Sequence, residues 1–550
     1  MALQYIGRPS LRSIYLGLVI TRVCFALFGT GYIHPDEYFQ NGEAIAGKTL
    51  GLNAVQTWEW SSVFPCRSIV PVWLTTGVPF SILRLLQNGH SPSPRLVFAI
   101  QRLSFLVSSF SLDFSIYHMV HEPVRLQALL LVGSSYVMHT YQLRPFSNSI
   151  EAILVALSLV LVKKLLVDEI DPKSSKGSSV YLALLAFVFT CGIFIRITFA
   201  AFFLPIGLEI LKWSLRQSRF SLDALARLLS LPLLVTSTTT LGFVYVDSVY
   251  FHGFMRPSTV EITPLNFLRY NLLPSNLAEH GLHPRWLHLV VNLPMIATPG
   301  LLFYVLWAEF DLFTSRTGEV PKGKPGVVEI MQRTYYWVRW SATSLLSIQP
   351  HQEPRFLTPL LVPMIAIAVN NARITQARKS FLISWITANA ALAVLFGVLH
   401  QGGVVPSLFR IHDIVYNDAR GIHTHDFQIV YWKTYMPPRH LLAIRQEDVD
   451  SRKISVQDLS GASPDMALDA LLIFTAFPKL PSTLLVAPFH AVQELGEQVA
   501  ECLMERDRVF PHLDLDHIGE SVQTGWKDGL SLGIFDVDVE CLRKTPPYEP

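Results

Sequence analysis

Charged residues are scarce in this chain of 550 residues. Asp, Glu, Lys and Arg together make up 16% of the sequence, whereas hydrophobic residues make up 50%. A soluble globular protein carries about 25% charged residues, so the deficit argues against an ordinary soluble enzyme and indicates lipid as the solvent for much of the chain. The net charge of +2 produces no overall field of the kind that attracts nucleic acid, and we expect no such partner.

Other familiar signals are also absent. The sequence has no Asn-x-Ser/Thr sequon, and it has no internal repeat, which weakens the case for an inverted-repeat transporter. Its five cysteines lack metal-ligand spacing, so we expect neither a metal nor a cofactor. Cys24 and Cys191 lie in apolar runs, where we expect buried, inert thiols. Cys502 and Cys541 can pair if the C-terminal region lies outside the cytoplasm and its fold brings them together.

Long apolar runs are abundant instead. A spanning helix needs roughly 20 mostly apolar residues. No small-residue cleavage site follows the first run, so we expect a retained helix rather than a cleaved signal peptide. The candidate runs are 14–31, 69–87, 96–119, 126–143, 150–167, 180–198, 199–213, 226–247, 285–307, 335–350, 357–372 and 381–399.

Basic residues in short loops mark the cytoplasmic side of a membrane. The loops assigned to that side contain Arg8, Arg12, Lys163, Lys164, Lys173, Lys176, Lys212, Arg216, Arg219, Arg316, Lys322, Lys324, Arg333, Arg373, Arg378 and Lys379. Counting crossings from these loops puts five segments on the opposite face: 32–68, 144–149, 248–284, 351–356 and the region after residue 400.

The count of crossings is consistent only if one early run fails to cross. One of 69–87, 96–119 and 126–143 must be re-entrant or merged with a neighbour. We expect it to be 96–119, because this run carries Arg102 and Asp113. About eleven spans then remain.

Residues 401–550 differ in character from the rest. Charge, Gly and Pro increase, and no run is long enough to span a membrane. We predict a small α/β domain on the non-cytoplasmic face, following a membrane domain of residues 1–400. Its predicted strands and helices are Phe427–Trp432, Thr483–Ala487 and Leu532–Val537, and Pro464–Phe474 and Ala491–Arg506, respectively.

The first polar cluster, His34-Pro35-Asp36-Glu37, directly follows the first apolar run. Two adjacent carboxylates at a membrane surface are costly to desolvate, so they tend to be partnered or functional. The alternative is structural: Asp36 would cap a helix that runs through Glu43. Both interpretations can hold together, since a capping loop also orients a carboxylate.

The same loop continues with Trp58-Glu59-Trp60 and then Arg67. The aromatic residues either anchor the loop in the membrane interface or form a stacking surface for a sugar. Arg67 precedes the next apolar run, where it either reaches lipid headgroups or binds a lipid phosphate.

Two arginines further along stand in apolar surroundings. Arg144 begins a polar junction in which Ser147 or Asn148 can cap the next helix, and Glu151 follows. Arg144 is also a plausible phosphate partner. Arg196 lies inside an apolar run, where an arginine needs a partner or water, and it is therefore a candidate functional residue.

Two more segments complete the set. The loop 247–284 contains Asp247, Tyr250 and Asn271 and is either a lid over a site or a plain connector. The turn 351–356 contains the polar side chains His351, Gln352, Glu353 and Arg355. It either caps the helix that follows or, being so densely charged, belongs to a site.

In this order, the segments HPDE, RPFSNSIE, DSVYF with the later YN, and HQEPRFL resemble glycosyltransferase family 22. These are mannosyltransferases of the GT-C class in the endoplasmic reticulum that use dolichyl-phosphate-mannose. The matches cover roughly residues 14–400. WEWSSVFPCRS, HQEP and YWKTYMPPRHLL further resemble the branch that adds the fourth mannose to the glycosylphosphatidylinositol (GPI) precursor.

The resemblance implies a polytopic GT-C fold in the endoplasmic reticulum membrane, with a luminal active site. It implies inverting, α-1,2 transfer of mannose from dolichyl-phosphate-mannose to the third mannose of the GPI precursor, without a cofactor. Asp36 would be the general base with Glu37 in support. The phosphate would be held by Arg144, Arg196, His351 or Arg355. Further substrate-binding candidates are His34, Trp58, Glu59, Arg67, Asn148, Asp247, Tyr250, Asn271, Gln352 and Glu353.

Three alternatives remain at this stage. The acceptor could be the second GPI mannose, giving the third, or the lipid-linked N-glycan precursor. A polytopic lipid transporter or flippase would carry polar residues near the middle of the membrane in paired broken helices. Here most polar clusters lie at helix ends, with Arg196 the main exception. The last alternative is a structural subunit without activity.

Overall fold

The structure is a computed structural model that describes residues 10–88, 90–170, 177–273, 276, 281–314, 326–370, 379–418, 421–422, 425–473 and 480–544. Several basic residues used to orient the chain lie outside these ranges, and the sidedness of their loops stays a prediction. They are Arg8, Lys173, Lys176, Arg316, Lys322, Lys324, Arg373 and Arg378.

Within the described ranges, seven helices are long and apolar enough to cross a membrane. They are Leu11–Phe28, Ile69–Leu86, Pro94–Met119, Ser178–Ile195, Leu222–His252, His288–Leu312 and Lys379–Leu399. Three more helices have a comparable length: Ser147–Ile170, Phe199–Gln217 and Val327–Ser347. The predicted polytopic helical fold is thereby confirmed, whereas the number of eleven spans stays a prediction.

The expectation that 96–119 is re-entrant was wrong. Pro94–Met119 is one continuous helix, and its charge at Asp113 is neutralised inside the protein. Arg22 donates to the Asp113 carboxylate at 2.6 Å, and the Tyr15 hydroxyl donates to it at 2.9 Å. A paired charge does not prevent a helix from crossing, since the cost that matters is that of an unpaired one.

The irregular segment lies instead in the predicted run 126–143. Its first helix breaks at Ser135, which adopts an extended conformation, and two further short turns follow. The pieces are Arg125–Ser134, Tyr136–His139 and Tyr141–Leu143.

Short helical elements connect the long ones. In the first 370 residues they are Asp36–Phe39, Gly42–Leu50, Trp58–Trp60, Glu122–Val124, Pro257–Thr259, Thr263–Leu272, Pro354–Leu360 and Leu361–Val369. In the C-terminal region they are Val404–Tyr416, Arg439–Leu442, Gln446–Asp450, Pro464–Leu472, Phe489–Gln493, Glu497–Ala500, Ile518–Thr524 and Val539–Leu542.

The C-terminal region contains a five-stranded mixed sheet, which confirms the predicted α/β domain. Its strands in chain order are β1 (Phe427–Tyr431), β2 (Ile454–Asp458), β3 (Ser482–Pro488), β4 (Leu503–Val509) and β5 (Leu532–Val537). The spatial order is β2-β1-β3-β5-β4; β1 runs parallel to β2 and β3, and β5 runs antiparallel to β3 and β4. Strands β1, β3 and β5 were predicted, whereas β2 and β4 were not.

The predicted helix Ala491–Arg506 was wrong. Its apolar side chains recur at helical spacing and are buried, but Gly496 has a φ of 84°, which interrupts the helix after Gln493. The chain then becomes strand β4. Glycine adopts positive φ at little cost, so a single residue redirects a segment whose periodicity is otherwise helical.

The sulfur chemistry is partly as expected. Cys502 and Cys541 form a disulfide, with their Cα atoms 5.6 Å apart. The expectation of buried thiols in the apolar runs was wrong for Cys24, which is exposed on its helix, and Cys191 is only partly buried. In a membrane protein an apolar run has a lipid-facing side, so an apolar sequence context does not imply burial within the protein.

The chain divides into two compact units that do not coincide with the boundary predicted at residue 400. The helical unit comprises Met1–Val23, Trp58–Pro71 and Phe105–Ala390. The mixed unit groups the C-terminal region with two N-terminal segments and comprises Cys24–Thr57, Val72–Ser104 and Ala391–Pro550.

Candidate active site

Asp36 is the first residue of a short helix in the mixed unit. Its carboxylate accepts a hydrogen bond from Gln40 Nε2 at 2.5 Å and lies 3.5 Å from His34 Nδ1. The cap position belongs to Pro35, so the alternative that Asp36 caps this helix was wrong. The Asp36 side chain is 26% exposed. It is therefore oriented by its neighbours and still accessible.

Glu37 has a different environment. Its side chain is fully buried, and Arg102 Nη2 donates to it at 3.3 Å and to the Tyr38 hydroxyl at 3.2 Å. Burial raises the pKa of Tyr32, and the Glu37 carboxylate raises it further, so this phenol stays protonated. The geometry makes Glu37 a positioning residue that fixes the segment beside Asp36; a direct part in the reaction stays a prediction.

An arginine cluster forms in the helical unit from segments far apart in sequence. We define it as Arg67, Arg196 and Arg355 with the carboxylates Glu59, Glu151 and Glu353. Ser147 Oγ accepts hydrogen bonds from Arg196 at 3.0 Å and from Arg67 at 3.5 Å.

Each arginine of the cluster has its own carboxylate. Glu59 accepts from Arg67 Nε at 2.9 Å, and Glu151 lies 3.5 Å from Arg196 Nε. Glu151 also accepts from the Thr198 hydroxyl at 2.6 Å and from Asn148 Nδ2 at 3.2 Å. The carboxylates balance the arginines and fix their orientation at the same time.

Arg196 lies at a helix end. The helix Ser178–Ile195 stops one residue before it, and Arg196 itself is extended, with φ −154° and ψ 127°. The expectation that Arg196 is the main exception to the placement of polar clusters at helix ends was therefore wrong. Its guanidinium contacts Ser147 and Glu151, which supply the partners that an arginine in apolar surroundings needs.

The turn 351–356 supplies the third arginine. Glu353 accepts from Arg355 Nη2 at 2.8 Å and lies 2.7 Å from His351 Nε2. The guanidinium of Arg355 lies 5.3 Å from the centre of the Phe356 ring, and that of Arg196 lies 5.1 Å from the same ring. Both guanidinium groups therefore lie within cation–π range of the same aromatic ring.

Arg144 is buried, with an exposed fraction of 1%. Its carbonyl accepts a hydrogen bond from the Ser149 hydroxyl at 3.0 Å. Phe146, two residues on, has its ring centre 5.4 Å from the guanidinium of Arg355. The RPFSNSIE junction therefore contributes to the same part of the helical unit as the turn 351–356.

Other predicted substrate-binding residues are engaged within the protein. Asp247 is fully buried and accepts from Ser68 Oγ at 2.9 Å, Ile69 N at 3.0 Å and Thr263 Oγ1 at 3.0 Å. It ties the start of one helix to the loop 247–284, which is a structural task. Its binding role stays a prediction.

Similar local contacts hold four further candidates. Gln352 is buried and accepts from the backbone N–H of His288 at 2.8 Å, and Asn271 donates to a carbonyl of its own helix at 2.8 Å. Trp58 stacks on Tyr270 at 4.1 Å and remains 40% exposed. The ring of Tyr250 meets that of its neighbour Phe251 edge-on. None of these contacts tests a role in binding.

Sequence reasoning missed a buried pair in the mixed unit. His440 Nδ1 lies 2.8 Å from Glu43 Oε1, both side chains are fully buried, and the backbone N–H of His440 donates to the same carboxylate at 2.9 Å. The two residues are 397 positions apart, so no local pattern joins them. His440 nevertheless stands in a segment used for the family resemblance, YWKTYMPPRHLL.

Comparisons with known proteins identify the family of this chain. The Alg9-like mannosyltransferase family matches residues 13–443. The chain is 38% identical to "GPI mannosyltransferase 4" of Emericella nidulans, over 82% of this chain and 79% of the relative. It is 31% identical to the human "GPI alpha-1,2-mannosyltransferase 4", over 97% of this chain and 95% of the relative.

A solved structure has a similar fold. The crystal structure of apo ArnT from Cupriavidus metallidurans superposes with a TM-score of 0.55, at 10% identity, over 97% of this chain and 98% of that chain. The helices, the C-terminal sheet and this likeness define a GT-C-type membrane protein. The chain belongs to glycosyltransferase family 22, the Alg9-like mannosyltransferases. It is accordingly a glycosyltransferase, as the motifs predicted.

We predict that Glu37→Gln lowers the stability of the protein. The substitution leaves the guanidinium of Arg102 buried without its carboxylate, which costs about 3 kcal/mol or more. Thermal unfolding of the purified protein in detergent measures the loss. The exposed Glu122→Gln is a matched control, and the double variant Glu37→Gln/Arg102→Gln should recover part of the stability. Equal melting temperatures for Glu37→Gln and the control would contradict the assigned positioning role.

Proposed function

We propose that this chain is an inverting α-1,2-mannosyltransferase that moves mannose from dolichyl-phosphate-mannose to the third mannose of a GPI precursor. The observation that carries the proposal is the similarity to relatives named GPI mannosyltransferase 4, which extends over 82% to 97% of the chain. Family membership gives the reaction type, and the shared name of these relatives supports the GPI precursor as acceptor.

The proposed location is the endoplasmic reticulum membrane, with the reacting groups on the luminal side. The disulfide between Cys502 and Cys541 supports this side for the C-terminal region. Disulfides persist in oxidising compartments such as the endoplasmic reticulum lumen and are rare in the cytosol.

The proposed chemistry is a single displacement at the anomeric carbon. The 2-hydroxyl oxygen of the acceptor mannose attacks, the bond from the anomeric carbon to the phosphate oxygen breaks, and dolichyl phosphate leaves with the electron pair. A β-linked donor thus gives an α-linked product. Asp36 accepts the hydroxyl proton. Its partial exposure and its orientation by Gln40 suit this role.

The proposed phosphate-binding groups come from the arginine cluster. A phosphate leaving group needs fixed positive charge or hydrogen-bond donors where its charge develops. Arg67, Arg196 and Arg355 are buried and held by carboxylates, so their orientation is set before the donor binds. Planar guanidinium groups match the geometry of phosphate oxygens with two parallel hydrogen bonds.

A transporter or flippase has less support than an enzyme. Such a protein needs polar residues in broken helices near mid-membrane, and the main candidate for that pattern, Arg196, lies at a helix end. The remaining alternatives within the enzyme class differ only in acceptor: the second GPI mannose or the lipid-linked N-glycan precursor.

The test is a transfer assay with the purified protein. We expect it to move mannose from dolichyl-phosphate-mannose to a defined trimannosyl GPI acceptor, and an α-1,2-mannosidase should remove the added residue. Dimannosyl GPI and the lipid-linked N-glycan precursor are the comparison acceptors. Product formed from either of these but not from the trimannosyl acceptor would overturn the proposed acceptor.

Asp36→Asn should abolish detectable transfer in this assay, a loss of roughly 100-fold or more, because the amide cannot take the hydroxyl proton. Membrane insertion and melting temperature should stay unchanged. Asp465→Asn is the matched control, since Asp465 is an exposed aspartate that also lies in the first turn of a helix. Near-normal turnover by Asp36→Asn would rule out Asp36 as the base.

Arg355→Ala should reduce transfer roughly tenfold or more, because the donor phosphate loses a positively charged partner. The protein level should change little. Arg355→Lys should retain part of the activity, because it keeps the charge but loses the forked geometry. Arg269→Ala, at an exposed arginine of the helical unit, is the control. A parallel loss of folded protein and activity in Arg355→Ala would show that the role of Arg355 is structural.

A further inference from the structure

Three potential metal ligands converge in the C-terminal part of the mixed unit. His490 lies in the short helix that directly follows β3, and Asp514 and His517 lie between β4 and the helix Ile518–Thr524. One ligand atom from each of the three residues lies within 4.8 Å of the others. Asp514 lies 24 positions after His490, and His517 lies three positions after Asp514. The sequence spacing of the three residues therefore does not indicate a metal site.

The strongest indication comes from His490. Its side chain is buried, with an exposed fraction of 4%, and neither ring nitrogen has a hydrogen-bond partner among the described residues. A buried polar atom without a partner costs about 1–3 kcal/mol, so two such atoms on one ring need an explanation. Coordination of a metal ion by one of the nitrogens provides it.

The other two residues, Asp514 and His517, lie close to His490 and to each other. Asp514 is buried, and its Oδ1 accepts from the backbone N–H of Asp516 at 3.0 Å, which orients the carboxylate. Its Oδ2 lies 2.7 Å from His517 Nδ1. The rings of His490 and His517 are stacked with their centres 5.8 Å apart.

We propose that His490, Asp514 and His517 bind one zinc ion. Two imidazoles and one carboxylate suit Zn²⁺, whereas Ca²⁺ and Mg²⁺ prefer sites made of oxygen atoms. Ligand atoms on a tetrahedral zinc lie about 3.3 Å apart. The more distant ligand atoms, which lie within 4.8 Å of one another, must therefore approach, and the 2.7 Å hydrogen bond between Asp514 Oδ2 and His517 Nδ1 must open if both atoms bind the ion. His517, whose side chain is 34% exposed, has room to turn, and water completes the fourth position.

The ion would act as a structural cross-link. It joins the end of β3 to the segment after β4, and these elements are not neighbours in the sheet, since β5 lies between them. A metal bound by the folded state but not by the unfolded chain stabilises the fold. The proposal does not depend on the transferase reaction proposed above.

The first test measures metal content. The full-length protein is purified in detergent without a polyhistidine tag or chelator. Its zinc content is then measured by inductively coupled plasma mass spectrometry. We expect about one zinc per chain, and a decrease of roughly tenfold or more in His490→Gln and in Asp514→Asn. Asp516→Asn should keep the zinc; it makes the same substitution in the same segment, at an exposed residue. Retention of zinc by His490→Gln and Asp514→Asn would overturn the proposal.

The second test needs no variant. Wild-type protein is stripped with a chelator and dialysed, and its thermal unfolding is followed with added zinc chloride or calcium chloride. We expect zinc to raise the melting temperature and calcium to leave it unchanged, since bound ligand stabilises the folded state by mass action. Absence of zinc in the purified protein together with no response to added zinc would refute the site, and so would a response to calcium alone.

Discussion

A charged side chain that is buried in this protein requires an opposite charge close by. Desolvation of an isolated ion costs more free energy than folding can supply. The pairs that meet this requirement also connect elements distant in sequence. Arg22 on the first helix meets Asp113 on Pro94–Met119, and Arg339 meets Glu309 on another helix. Such pairs are compatible with one relative placement of two helices, since any slip separates the charges. Their main contribution is therefore to specify the arrangement.

The same constraint shapes the arginine cluster. Arg67, Arg196 and Arg355 each face a carboxylate, and Ser147 and the Phe356 ring hold neighbouring guanidinium groups in place. Their side-chain entropy is lost when the protein folds rather than when a ligand arrives. Under the proposed function, a phosphate that binds there meets donors whose orientation is already fixed, and little reorganisation is needed as negative charge develops.

Much of the fold and of the candidate site could be predicted where a single residue or a local period carries the information. Arg67, Arg196 and Arg355 were identifiable because a charge in an apolar context is costly wherever it lies, and β1, β3 and β5 followed from local composition. Partners could not be identified in this way.

The features that the sequence did not reveal are contacts between distant residues and the points where helices end, and both depend on the folded chain. Glu43 and His440 are 397 residues apart, and their pairing is a property of the tertiary structure. The positive φ of Gly496 interrupts a segment whose side-chain period is helical, and this backbone angle is not visible in that period. Arg196 lies just beyond the end of its helix, and its partners Glu151 and Ser147 come from another helix, so the local sequence did not reveal them.

Strand β4 lies at one edge of the sheet, and its free backbone groups would ordinarily recruit a strand from another molecule. It carries Glu505, Arg506, Asp507 and Arg508 in succession, and its pairing with β5 is irregular between Glu505 and Asp507. Adjacent charges and a distorted ladder make a poor template for an incoming strand. The charge and irregularity of this edge therefore disfavour edge-to-edge pairing of the C-terminal sheet with another chain.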